Sequence, residues 1–141
     1  MSVLKGAAVI GQSGGPSSVI NASAYGAIKT AIDSDVITRV FGMCNGIRGL
    51  LDDQLIDLDK EDPDELALMK YTPSSALGSC RYKLKDPDED ETDYLRILEI
   101  FKRNIHGKFH CRFINSGDAA DGDELLIVCH NLLLAHLIMN L

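Results

Sequence analysis

The sequence predicts an α/β fold with a parallel sheet. A short apolar run over residues 5–10 is typical of a buried parallel strand. A glycine-rich turn follows, and apolar residues then recur at helical spacing from Ile20 to Ala31. Residues 36–41 are predicted to form a second strand. Strand, loop, helix and strand in this order predict a βαβ unit, whose two strands pair in parallel.

The segments after the second strand alternate between loops and helices. Residues 45–53 contain two glycines and are predicted to form a loop, and the acidic residues 59–65 are predicted to lead into a short helix. Residues 86–93 form a second acidic run, which is typical of a solvated surface. Tyr94 to Ile105 has the periodicity of an amphipathic helix, and residues 108–114 predict a third strand.

Composition and charge restrict the classes of partner. The chain has 141 residues, which suits one domain, and a net charge of −7, which argues against a nucleic-acid or anionic-membrane surface. Its four cysteines form no CxxC pair, so a zinc ribbon or redox motif is not predicted. The first residues do not resemble a signal peptide. The expected location is therefore cytoplasmic, with reduced thiols.

The last part of the sequence differs from the rest. Residues 125–141 are nearly all apolar, but polar residues interrupt them, so a transmembrane helix is not predicted. We expect a helix that has almost no polar face, which would favour self-association. The sequence is therefore divided into residues 1–118, which are predicted to form the binding domain, and an atypical apolar tail, residues 119–141.

The first candidate site is the turn between the first strand and the first helix, which contains Gly14 and Gly15. Glycines let backbone N–H groups approach an oxyanion, and the start of a helix adds partial positive charge. Ser17 or Ser18 is expected to cap that helix. The alternative is an ordinary tight turn, since the segment is neither GxxxxGK[ST] nor a full GxGxxG.

A second candidate site is the loop that contains Arg81 and Lys83, near Gly78. Arg offers a fork of donors to phosphate oxygens, and Lys offers a point charge. The alternative is a solvent-exposed basic loop beside the acidic run.

A third candidate site follows the third predicted strand, where Asp118 stands after Gly117. A carboxylate at the C-terminal end of a parallel strand is well placed for Mg²⁺, which binds one or two carboxylates together with phosphates. The alternative is a plain turn that contains an aspartate.

The order of these segments resembles that of the phosphofructokinase family, and the residues of the first turn resemble those of its pyrophosphate-dependent members. The match runs from about Lys5 to Lys108 and depends on separated motifs. They are Val9-Ile10-Gly11-Gln12-Ser13-Gly14-Gly15-Pro16, then Ile20-Asn21-Ala22-Ser23, then Gly42-Met43-Cys44-Asn45-Gly46-Ile47-Arg48-Gly49-Leu50, and finally Thr72-Pro73 through Leu77-Gly78-Ser79-Cys80-Arg81-Tyr82-Lys83.

The resemblance implies a fold, a reaction and a set of site residues. The fold would be α/β with a doubly wound parallel sheet. The reaction would transfer a phosphoryl group from pyrophosphate, or ATP, to the 1-hydroxyl of fructose 6-phosphate with Mg²⁺, and a homo-oligomer would be typical of the family. The positions that match the family's phosphoryl-donor site are Gly14, Gly15, Arg81, Tyr82 and Gly117, and Asp118 would be the magnesium ligand.

The sequence also departs from the family's pattern. Ser116 stands where the family has the first glycine of Gly-Gly-Asp, and Ala119 and Ala120 follow where pyrophosphate enzymes usually have a second acid. The family's Thr-Ile-Asp-x-Asp motif is absent, so no catalytic residue is assigned. The resemblance therefore implies an incomplete copy of the enzyme. The alternative is a non-catalytic anion-binding remnant or association module.

Overall fold

The structure is a computed structural model that describes residues 6–12, 18–82, 84–86 and 88–104, together with the backbone of residues 109–115 and 124–130. Its strands are β1 (Gly6–Gln12), β2 (Ile37–Met43), β3 (Leu55–Asp57), β4 (Phe109–Asn115) and β5 (Glu124–His130). Its helices are α1 (Ile20–Ile32), α2 (Gly46–Leu51), α3 (Pro63–Leu68) and α4 (Thr92–Asn104), and a 3₁₀ turn covers Leu58–Lys60. No helix in this described part has the length and apolarity needed to cross a membrane.

The five strands form one mixed sheet in the order β3-β2-β1-β5-β4. β1 and β2 pair in parallel, with Ala8 opposite Val40, which confirms the βαβ unit and the α/β class. The neighbours of this pair, β3 and β5, run antiparallel to it. Because β4 is antiparallel to β5, the three predicted strands β1, β2 and β4 all point in the same direction. The sheet is mixed and not parallel throughout, because β3 and β5 run opposite to the other three strands.

The predicted helix in the tail is wrong for residues 125–130, which belong to β5. The physical reason is visible in the sequence, since a segment without a polar face suits a strand inside a sheet better than a surface helix. The β-branched residues Ile127 and Val128 also favour a strand. Residues 131–141 lie outside the described residues, and the division of the chain after residue 118 stays a prediction.

The predicted loop over residues 45–53 is wrong for Gly46–Leu51, which forms helix α2. Asn45 precedes this helix with a φ of 56°, a left-handed conformation that asparagine tolerates better than most residues. Gly49 allows a close approach, because a Cβ atom there would lie 1.5 Å from the carbonyl oxygen of Cys44. The glycines of this segment therefore serve close packing of a short helix and not an open loop.

The start of α1 also differs from the prediction. Its N-cap is Val19, and no side chain makes a capping hydrogen bond there, so capping by Ser18 is wrong. Ser17 lies outside the described residues. The two other helix predictions are confirmed, since α4 matches the amphipathic segment and α3 begins within the acidic stretch and continues beyond it. Asp62 caps α3 by accepting hydrogen bonds from the backbone N–H groups of Asp64 and Glu65.

Two apolar layers cover the sheet, because successive side chains of a strand point to opposite faces. One layer, which we call the α4 face, contains Ala7, Val9, Phe41, Met43, Leu50, Ile97, Ile100 and Phe101. The other, the α1 face, contains Ile10, Ala24, Ile28, Val40, Leu58, Met69 and Leu77. The α1 face is the side of the sheet on which the chain reaches the predicted donor loop, because Leu77 packs there.

Candidate functional site

A buried glutamine ends β1 and connects three parts of the chain. Gln12 is 1% exposed, and its side-chain Nε2 donates to the carbonyl oxygen of Ile20 (3.3 Å) and to Oδ1 of Asn21 (2.9 Å). Its Oε1 accepts from the Ser75 hydroxyl (3.0 Å) and from the backbone N–H of Leu77 (2.8 Å). A single amide therefore joins the end of β1, the start of α1 and a segment more than sixty residues further on.

A second buried amide completes this network. Asn21, in the first turn of α1, is also 1% exposed. Its Nδ2 donates to the carbonyl oxygen of Thr72 (2.8 Å), and its Oδ1 accepts from the backbone N–H of Ala76 (2.7 Å) as well as from Gln12. Together the two amides hold residues 72–77, which we call the 72–77 segment, against the carboxyl end of β1.

The 72–77 segment leads directly into the predicted donor loop. Ser74 has a φ of 77°, a left-handed conformation that is costly for a residue other than glycine. The carbonyl oxygen of Leu77 accepts from the backbone N–H of Asn45 at 2.7 Å. Gly78 then takes a φ of 75°, and a Cβ atom there would lie 2.2 Å from Oδ1 of Asn45. The chain therefore turns sharply between its last anchored residue and Arg81.

Gly46 brings the end of β1 and the donor loop together. A Cβ atom at this glycine would lie 2.9 Å from the carbonyl oxygen of Gln12 and 3.4 Å from Sγ of Cys80. Cys80 is the residue before Arg81, so the structure places the predicted donor loop next to the carboxyl end of β1. Ligands of open α/β sheets bind at this end of the strands.

The two predicted donor residues that the structure describes, Arg81 and Tyr82, are exposed. The Tyr82 hydroxyl donates to Oδ2 of Asp93 at 2.6 Å, and this hydrogen bond raises the pKa of Tyr82 because it stabilises the protonated phenol. The Arg48 guanidinium lies 5.7 Å from the centre of the Tyr82 ring. Arg48 thus adds a positive charge beside the donor loop, and Tyr82 stays neutral at physiological pH.

The other predicted site residues, Gly14, Gly15, Gly117 and Asp118, lie outside the described residues. The backbone still shows where β4 ends, because Leu125 pairs with Gln12 on one side and with Ile114 on the other. The chain therefore leaves β4 at the same edge of the sheet as it leaves β1. Within the described part, no group of three His, Cys, Asp or Glu side chains is placed to hold a metal ion.

Sequence reasoning missed Gln12 and Asn21 as parts of the site. A signal was present, because Asn21 shares the buried face of α1 with Ala24 and Ile28, at helical spacing. A polar side chain on an apolar face must find hydrogen-bond partners, so its position predicts a buried network.

The fold and these contacts define an α/β domain in which the end of β1, the start of α1 and the segment that leads to Arg81 meet at the carboxyl edge of the sheet. The family model Phosphofructokinase matches residues 7–120 of the sequence. The chain therefore belongs to the phosphofructokinase family, as the sequence motifs predicted.

Several similar proteins carry names of the pyrophosphate-dependent type. The pyrophosphate–fructose 6-phosphate 1-phosphotransferase of Methylococcus capsulatus is 44% identical over 111 residues, which are 78% of this chain and 26% of that protein. The protein of the same name from Halomonas elongata is 42% identical over 111 residues, with the same shares of the two chains. The crystal structure of the pyrophosphate-dependent phosphofructokinase from Nitrosospira multiformis matches with a TM-score of 0.60 and 42% identity, over 66% of this chain and 22% of that one. The chain thus spans about a quarter of the length of the relatives it matches.

Proposed function

We propose that the chain is a partial copy of a phosphofructokinase and supplies the phosphoryl-donor side of a transfer from pyrophosphate to fructose 6-phosphate. The product of the whole reaction would be fructose 1,6-bisphosphate. The names of the relatives support pyrophosphate as the donor, and ATP is the competing donor. One observation carries the proposal, namely that the loop before Arg81 is anchored at the carboxyl end of β1.

In the proposed donor site, hydrogen-bond donors and positive charge would bind the negatively charged phosphates. Backbone N–H groups around Gly14, Gly15 and Gly117 would bind the phosphate oxygens, and the guanidinium of Arg81 would balance their charge. Phosphoryl transfer depends mainly on positioning and electrostatic stabilisation, so a fixed Arg81 loop is useful for this chemistry. Arg48, beside Tyr82, would extend the positive potential at the mouth of this site.

Magnesium is part of the proposal. Mg²⁺ usually binds through one or two carboxylates plus substrate phosphates, and it would neutralise charge on the pyrophosphate. We assign Asp118 as its ligand, since Asp118 follows Asn115 by three residues and Asn115 ends β4 at the edge where β1 also ends. A cytoplasmic location and assembly into a family-like homo-oligomer belong to the same proposal.

Calorimetric titration of the intact chain with inorganic pyrophosphate, in the presence of magnesium chloride, tests the donor site. The expected result is saturable binding to one site, which Arg81→Ala weakens by roughly ten- to a hundredfold because a hydrogen-bonded charge is lost. Lys102→Ala is the matched control, since it removes one positive charge from an exposed position on α4. Equal losses in both variants would mean that only the net charge matters, which contradicts a site at Arg81.

Two further titrations separate the alternatives. Magnesium ATP that binds more tightly than magnesium pyrophosphate would reverse the donor assignment. An assay for fructose 1,6-bisphosphate, with fructose 6-phosphate and pyrophosphate supplied, tests turnover. Pyrophosphate binding without turnover would favour the non-catalytic anion-binding role for the isolated chain.

A further inference from the structure

We propose that Gln12 and Asn21 are positioning residues, whose buried amides fix the placement of the Arg81 loop and so set the affinity for the phosphoryl donor. This inference rests on the proposed function, because the donor is the ligand whose affinity it concerns. Neither side chain is proposed to touch the donor itself.

Every polar atom of the two buried amides has at least one hydrogen-bond partner. The Gln12 amide has two acceptors for Nε2 and two donors for Oε1, and the Asn21 amide donates once and accepts twice. A buried polar network contributes geometric specificity when every member is satisfied, and it is costly when one partner is missing. Simple packing at these positions would need only apolar side chains of similar volume. The polar pair therefore indicates that a particular arrangement of the chain is being selected.

The hydrogen-bond partners of this network belong to separate parts of the chain. The network bonds to three consecutive residues, Ser75, Ala76 and Leu77, and to the carbonyl oxygen of Thr72. Its other ends are the last residue of β1 and the first turn of α1. These two elements flank the glycine-rich turn that is proposed to bind the same phosphates. One network thus connects both sides of the proposed donor site.

The network also holds an unfavourable backbone conformation. Ser74 lies within the clamped segment with a φ of 77°, and such a conformation persists only where surrounding contacts determine it. Arg81 lies four residues after Leu77, the last residue that is hydrogen-bonded to the network. A shift of about 1 Å at a positioning residue can change an affinity or a rate by a large factor. Release of the 72–77 segment should therefore move Arg81 and weaken binding of the donor.

Gln12→Glu tests the inference with a minimal change of shape. It replaces the Nε2 donor by an oxygen that faces two acceptors, the carbonyl of Ile20 and Oδ1 of Asn21. Gln54→Glu makes the same chemical change at an exposed position and is the matched control. Each protein is examined at a temperature well below its own unfolding transition, by amide hydrogen exchange at Ala76 and Leu77 and by titration with inorganic pyrophosphate and magnesium chloride.

The expected result for Gln12→Glu is faster exchange at Ala76 and Leu77 and an affinity for pyrophosphate that is about tenfold weaker or more. Ser75→Ala removes a single bond to Oε1 from a half-buried position, so it leaves the fold intact and should give a smaller loss in the same direction. Gln54→Glu should change neither quantity.

The outcomes distinguish this inference from the proposed function. A merely structural role would lower the melting temperature and leave the affinity of the folded protein unchanged, and that result in both Gln12→Glu and Ser75→Ala would overturn the inference alone. Unchanged exchange at Ala76 and Leu77 would overturn it as well. Failure of the unmodified chain to bind pyrophosphate would overturn the proposed function, and the inference with it.

Discussion

The two faces of the sheet are built from different kinds of contact. The α4 face is held by large apolar side chains, with Phe101 and Ile100 fully buried at its centre. On the α1 face, the apolar core is joined by Gln12 and Asn21, the two buried polar side chains of the described residues. The 72–77 segment packs on the α1 face through Leu77. Apolar packing therefore supplies most of the stability, whereas directional hydrogen bonds set the position of the segment that leads to the site.

The largest effect on stability is expected on the α4 face. Phe101→Ala should lower the free energy of unfolding by about 3–5 kcal/mol, since it removes a fully buried ring and leaves a cavity. Urea denaturation measures the loss. Leu95→Ala on the same helix is the control, because Leu95 is 55% exposed and should change little. A loss at Leu95 as large as that at Phe101 would contradict the assignment of the core.

Gly49→Ala should be the next largest change, and it also acts on the α4 face, where α2 packs. A Cβ atom at this position would overlap the carbonyl oxygen of Cys44, so the backbone must move, at a cost of about 3 kcal/mol. Gly26→Ala is the matched control within α1, where nothing lies within 4 Å of the new Cβ atom. It should stabilise the protein by about 0.5–1 kcal/mol, because alanine favours a helix. Thermal unfolding of both variants measures the contrast.

Gly78→Ala changes the residue that directly follows the 72–77 segment. A residue other than glycine at φ 75° costs about 1–2 kcal/mol, and the new Cβ atom would also push on the side chain of Asn45. The expected result is a modest loss of stability together with weaker binding of pyrophosphate. Phe101→Ala protein that remains folded should instead bind pyrophosphate with unchanged affinity. Titration and thermal unfolding of the same samples separate the two effects. Unchanged affinity would mean that this turn does not position the donor loop.

The smallest effect is expected at the rim of the sheet, where Asp57 pairs with Lys60 and Arg39, and Arg39 lies over the Phe41 ring. Hydrogen bonds from Lys60 and then from Arg39 lower the pKa of Asp57 below its ordinary value of 3.8, although partial burial opposes them. The pKa of Asp57 is lower in the folded protein than in the unfolded chain. The ion pairs of Asp57 with Lys60 and Arg39 therefore stabilise the protein above about pH 4, and this stabilisation is lost as the pH falls further.

Asp57→Asn should therefore flatten the acid side of the stability profile and change stability at pH 7 by at most about 1 kcal/mol. Melting temperatures measured between about pH 2.5 and pH 7 would show it. An acid side as steep as that of the unmodified chain would contradict the assigned role of Asp57.

The sequence was sufficient for the elements whose signals are local. The βαβ unit and α4 follow from periodicity, which reports the side chains that one element buries. The direction of β5 was not predictable, since it depends on pairing with a strand that lies far away in the sequence. Helix α2 was missed because Gly46 and Gly49 were interpreted as signs of a loop, whereas they permit close approach of the backbone. The buried amides needed the same kind of long-range information.

The position of β5 beside β1 has a consequence for how the chain folds. Ala8 pairs with Val40 on one side and with Cys129 on the other. The partner strand at one edge of β1 is therefore close in the sequence, and the partner strand at the other edge is distant. Contacts between distant residues slow folding, because the closure of a long loop costs entropy before any pairing compensates it. We therefore expect the βαβ unit to form first, also on a chain that is still being synthesised. Until β5 docks, the free edge of β1 exposes unpaired backbone groups, and this is the stage at which aggregation of the nascent chain is expected.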